Sequence, residues 1–245
     1  IKDCLNSVKK QKYGDIEHIV IDGASTDGTL SILESKRKQL GALISESDEG
    51  IYYAMNKGIK IATGDIIGFL NSDDFYPSDN VLSRVAEVFN GNPNIDGCYS
   101  DLIYTDKTDI SINKRYWKSN KFVPNSFSKG WCPPHPTFFV RSSIYKKFGN
   151  FDLSYSIASD IELMMRLLEV NKIKVFYIPE LWVKMRIGGK TNKNLINILI
   201  QNVEVLSALK KHKLSFNYIS FFIHKLISRS FQFFKFAPKD SGGFR

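Results

Sequence analysis

The chain has 245 residues, 43% of them hydrophobic, enough for a sizeable core and too apolar for global disorder. Its net charge is +9, and it holds no run of about 18 apolar residues of the kind that spans a bilayer. The three cysteines, Cys4, Cys98 and Cys132, are odd in number and widely spaced, which argues against a disulfide framework and for a reducing, cytoplasmic compartment.

In chain order, "IKDCLNSVKKQ" (1–11) reads as an amphipathic helix with Ile1, Leu5 and Val8 on one face. It begins in mid-pattern and without methionine, so an upstream segment is expected. "IEHIVID" (16–22) predicts a strand, 28–40 a helix, "ALIS" (42–45) a strand and 51–62 a helix. "DIIGFLN" (65–71) predicts a third strand, 80–89 a helix and 95–105 a fourth strand. Strands alternating with helices predict a mostly parallel sheet, with ligands bound beyond the strand ends. Past residue 105 the pattern loosens. A β-ribbon is expected at 109–117, a loop at 119–136, a strand at 137–141 and a serine-capped helix at 142–149. A strong helix covers 158–170, two strands broken at Pro179 cover 174–189, and two helices follow. From Lys184 to Arg245 lie 12 of the 34 Lys/Arg but only 2 of the 25 Asp/Glu, so the charge belongs to the tail.

Two loops after strands are acidic. In "NSDDFYP" (71–77), Asp73 and Asp74 stand side by side and too early to cap the next helix, a role open to Ser78 and Asp79. Adjacent carboxylates are relieved by a shared hard cation, Mg2+ or Mn2+, which suits a metal–diphosphate site. In "DGASTDGT" (22–29), Asp22 can accept from a base or ribose, and Gly23 and Gly28 allow close backbone approach; the same residues also suit a plain turn with a helix cap. No G-x-G-x-x-G is present, which argues against a nicotinamide-type site. Cys132 and His135 have zinc-like spacing, but no second ligand pair follows.

"IEHIVIDGASTDGT", "SDEGIYYAMNKGIKIATGDIIGFLNSDD" and "FGNFDLSYSIASDIELMMRL" together resemble the family 2 glycosyltransferases, closest to the bacterial group that builds surface polysaccharides. The likeness runs over about residues 1–190. It implies an α/β GT-A fold: a mostly parallel nucleotide-binding sheet flanked by helices, with a small β-ribbon and a C-terminal helical appendage. The family's first strand is missing and is expected ahead of Ile1. Two domains are expected: 1–190, the glycosyltransferase domain, and 191–245, a basic, aromatic-rich helical region. The resemblance implies an inverting, metal-dependent transfer from a nucleotide-diphosphate sugar, with UDP-sugar the expected donor, to a glycan or lipid-linked hydroxyl. Asp160 matches the catalytic base and Asp73 the metal ligand. Asp22, Asp48, Gly50, Asn56, Lys57, Asn71 and Asp74 match the donor surround; Asn71 replaces the first acid of an Asp-x-Asp motif, and Tyr53 stands where close relatives carry Asp. His135 and Trp131 are acceptor-side candidates, and Gly188 with Gly189 suits a closing loop. The basic, aromatic 215–236 segment suits peripheral contact with the inner face of the cell membrane rather than nucleic acid. The competing readings are a metal-dependent nucleotidyltransferase and an inactive membrane-associated scaffold.

Overall fold

The computed structural model describes residues 1–188 and 195–234. The order is α1 (Lys2–Lys9), β1 (Ile19–Asp22), α2 (Thr29–Ser35), β2 (Ala42–Ser45), α3 (Ile51–Ile61), β3 (Ile66–Ile67), α4 (Val81–Gly91), β4 (Gly97–Thr105) and β5 (Asn113–Trp117). There follow β6 (Phe139–Arg141), α5 (Ser142–Phe148), α6 (Ser159–Met165), β7 (Val175–Arg186), α7 (Leu195–Lys211) and α8 (Tyr218–Phe234). A π-turn, Arg166–Val170, extends α6.

The α/β layering matches expectation, but the pairing is more mixed than a mostly parallel sheet. β1 pairs with β2 in parallel, and β4 with β7 in parallel, while β3–β6, β4–β6 and β4–β5 are antiparallel. β4 sits in the middle, and all nine of its residues are buried. Its one carboxylate, Asp101, is answered there by Tyr116, by Tyr177 at 2.8 Å and by the Ser119 amide at 2.8 Å. Burying an acid is tolerated when donors replace its water.

Three expected elements change. The third strand shrinks from 65–71 to two ladder residues. The break at Pro179 becomes an irregularity inside one strand, because the register slips between Tyr99 and Asp101 of β4 where proline offers no N–H. Ser142 is the first helical residue of α5, not a side-chain cap; its amide donates to the Asp65 carbonyl at 2.8 Å.

Two large apolar clusters flank β4. One joins Val81, Val85 and Phe89 of α4 to Leu102, Trp182 and Val183. The other joins Leu163, Met164 and Met165 of α6 to Val205, Ala208, Leu209 and Phe221. The expected C-terminal helices are present and pack into this second cluster. α8 crosses the loop at 127–130, where a Cβ on Gly130 would lie 2.9 Å from Cβ of Lys225. Gly130 also has φ +71, so glycine permits both the turn and the close crossing. Among the described residues no helix is long and apolar enough to cross a membrane.

Candidate active site

A cavity of about 1080 Å³ opens between β1 and β3 and runs under α8. Asn71, Asp73, Trp131, His135 and Asp160 all line it. Asp22, Asp48, Gly50, Asn56, Lys57 and Asp74 are not on its wall.

The acidic turn follows β3 and is held from two sides. The Asp74 amide donates to the Asn71 carbonyl at 3.0 Å, and Asn71 Nδ2 donates to Asp74 Oδ2 at 2.9 Å. Asp74 is fully buried, and burial, reinforced by the charge of Asp73, pushes its carboxyl up to about 8. Asp73 instead is exposed, on the wall of the cavity. Arg186 at the end of β7 donates to the Asp73 carbonyl at 2.5 Å, pairs with Asp3, and lies over the Phe75 ring. Local patterning gave no signal for this arginine, which is 113 residues away in sequence.

Asp160 lies in the first turn of α6. Its Oδ1 is 3.0 Å from the Tyr52 hydroxyl of α3, which also lies 2.7 Å from the Ile157 carbonyl. Glu204 of α7 grips the loop just before it, accepting from the amides of Ser156, Ile157 and Ala158 at 2.8–2.9 Å. Burial pushes the Glu204 carboxyl up, but these donors outweigh it and leave the group below its ordinary value. The spacing of α7 residues pointed to a helix but not to this contact.

His135 stacks on Phe69 with centroids 5.5 Å apart and meets the edge of Phe151. Its Nε2 is buried with no hydrogen-bond partner among the described residues. Burial pushes its pKa down, against the pull of Asp160, so the ring is neutral at pH 7. Trp131 donates to Asn120 at 2.6 Å and packs edge-on to Tyr99 and Phe127, leaving part of the indole on the cavity wall.

The other matched residues make local contacts. Asp22 accepts from the Ser25 amide at 3.0 Å and the Ser45 hydroxyl at 2.7 Å; burial pushes it up, and these bonds more than offset that. Lys57 bridges Asp48 at 2.5 Å and Glu46 at 2.7 Å. Gly50 opens α3 with φ +151. Both ends of the Asn56 amide are taken by the Phe151 backbone, at 2.9 and 3.0 Å, so Asn56 ties α3 to the loop before Asp160. Gly188 has φ +106, while Gly189 lies outside the described residues.

Among the described residues no three His, Cys, Asp or Glu side chains form a ready-made metal cluster. A hard cation held largely by substrate oxygens needs only one or two carboxylates. Asp73 exposed beside Asp74, whose Oδ1 is buried without a partner, fits that demand.

The sequence profile of Glycosyl transferase family 2 matches residues 1–149. The chain belongs to that family. One relative, the PGL/p-HBAD biosynthesis glycosyltransferase of Mycobacterium bovis, is 32% identical over 166 residues, or 66% of this chain. The chain spans 62% of that relative's length. Among solved structures, S. aureus TarS 1–349 in complex with UDP-GlcNAc aligns with a TM-score of 0.62 at 19% identity, covering 87% of this chain and 64% of that one. The mannosyltransferase PcManGT from Pyrobaculum calidifontis, in complex with GDP-Man and Mn2+, aligns at 0.61 with 16% identity, covering 95% of this chain and 65% of its own. At these identities the two structures show a shared GT-A fold for this family 2 chain.

Proposed function

We propose that this family 2 chain transfers a sugar, with inversion, from a nucleotide-diphosphate donor to an acceptor hydroxyl in polysaccharide biosynthesis. The carrying observation is that Asp73 and Asp160, from opposite halves of the sequence, open on one cavity. UDP-sugar is the donor class proposed, and a glycan or lipid-linked hydroxyl the acceptor class.

An acceptor hydroxyl ionises far above neutral pH, so it needs a positioned base as it attacks. Asp160 takes that proton while the acceptor oxygen bonds to C1. The C1–oxygen bond to the diphosphate breaks, and its electron pair leaves with the diphosphate. Attack opposite the leaving group inverts C1 in a single displacement. Tyr52 fixes the rotamer of Asp160, and His135, stacked on Phe69, packs the cavity wall beside it. Asp73, backed by Asp74, would hold Mg2+ or Mn2+, which when bound offsets charge developing on the diphosphate. Asp22 and the Asp48–Lys57 pair shape the loops beyond β1 and β2, where the nucleotide is proposed to lie.

The exposed residues Ile196, Leu199 and Val203 of α7 and Ile219, Phe222 and Leu226 of α8 support peripheral contact with the inner face of the cell membrane. The test is a panel of nucleotide sugars scored for Mn2+-dependent thermal stabilisation and for turnover. Asp73→Ala is expected to lose metal-dependent donor binding, and Asp160→Asn to keep binding but lose turnover. Full turnover by Asp160→Asn would remove the base from the mechanism.

A further inference from the structure

α8 has two unlike faces. Ile219, Phe222, Ile223, Leu226 and Ile227 face outward. Lys225, Ser228, Arg229 and Gln232 line the cavity that also holds Asp160. Arg115 of β5 lines the same wall, its guanidinium 3.9 Å from the centroid of the Tyr104 ring.

Among the described residues, Lys225 and Arg229 meet neutral acceptors. Lys225 donates to Asn202 Oδ1 at 2.6 Å, and Arg229 reaches Gln201 Oε1 at 3.4 Å. Both acceptors are neutral amides. Among the described residues, no Asp or Glu forms an ion pair with Lys225 or Arg229. Burial, with Arg229 adding repulsion, pushes Lys225 down to about 8, and burial followed by Arg115 lowers Arg229. Bringing like charges together out of water is costly unless an anion joins them. Cys132, Asp160, Lys225 and Arg229 all line this one cavity.

We propose that Lys225 and Arg229, assisted by Arg115, form a subsite for a phosphate group carried by the acceptor. This rests on the transferase reading, because it is Asp160 that makes this end of the cavity the acceptor end. Lysine supplies a point charge and arginine a planar fork, a pairing suited to phosphate oxygens. The phosphate can belong to a lipid carrier or to a water-soluble glycan phosphate; both present the same oxygens.

The test is calorimetric binding of inorganic phosphate, and in parallel of a short-chain polyprenyl phosphate in neutral detergent micelles, to the full chain. UDP and Mn2+ are kept at saturation to cover the donor side. At least one probe is expected to bind, and Lys225→Gln/Arg229→Gln is expected to weaken it tenfold or more. Lys225→Arg, which keeps the charge, is expected to bind near the wild-type level, and near-UV circular dichroism checks that each variant is folded. Preference for the polyprenyl probe points to a lipid-borne phosphate, and equal binding to a soluble one; either supports the subsite. Binding by neither probe, or equal binding by the folded double variant, overturns it. Failure of UDP to bind would instead count against the transferase reading, leaving the phosphate result to be judged alone.

Discussion

Tyr52 illustrates how a single hydroxyl can position the proposed base, Asp160. It lies within hydrogen-bond distance of both Asp160 and the Ile157 carbonyl, so it ties the carboxylate to the loop that precedes it. Tyr52→Phe removes a donor while keeping the ring that stacks on Phe151 at 5.5 Å. A hydrogen bond of this kind contributes about 1 kcal/mol. The expected result in steady-state kinetics is a fall in kcat of about five- to tenfold with the donor KM unchanged; an unchanged kcat would show that Asp160 needs no such partner. The neighbouring histidine was visible as a candidate in "WCPPHP", but its neutral state follows only from its aromatic surroundings.

At the scale of elements, α7 and α8 supply Gln201, Val205, Phe221, Lys225 and Arg229 to the cavity that Asp160 also lines. Glu204 of α7 holds three backbone amides and the Ser156 hydroxyl, so Glu204→Ala leaves those donors without their carboxylate. The expected cost is about 2 kcal/mol in denaturant unfolding, with kcat lowered as the Asp160 loop loosens. The crossing of α8 depends on Gly130, where φ is +71 and any Cβ would press on Lys225. Gly130→Ala is expected to lose about 1–3 kcal/mol. Limited proteolysis should then cut within α8 sooner than in the wild type, while unchanged cleavage would mean that the helix docks without this close approach. Helix periodicity announced α7 and α8 as helices, yet it carried no information on which sheet face they cover.

Across the whole molecule, ion pairs stitch distant segments together. Asp152, ahead of α6, meets Lys211 at the end of α7. Burial alone would raise its pKa, but the Lys211 and Ser154 bonds prevail and bring it down to about 2. A depressed carboxyl gives stability that is present above the unfolded value of about 3.9 and lost as pH falls through the folded one. Stability should therefore decline more steeply between about pH 4 and pH 2 in the wild type than in Asp152→Asn, as read by urea unfolding across that interval. Identical slopes would mean that this pair does not link α7 to the Asp160 loop in solution.

Much of the architecture was open to the sequence because its causes are local. Alternating apolar runs and helical spacing announce strands and helices from neighbours a few residues apart, and an acid pair just after an apolar run marks a strand end with chemistry. The order of three motifs marked the family, and with it Asp73 and Asp160. Tertiary structure alone decided that β4 would pair with β5, β6 and β7, that Pro179 would be absorbed within one strand, and that Asn56 would clamp Phe151. It also decided that Arg186 would reach the acidic turn, that Glu204 would hold the loop before Asp160, and that Lys225 and Arg229 would line the same cavity as Asp160. Such meetings depend on the path of the chain through space, since charges and hydrogen bonds act over ångströms and not over sequence distance.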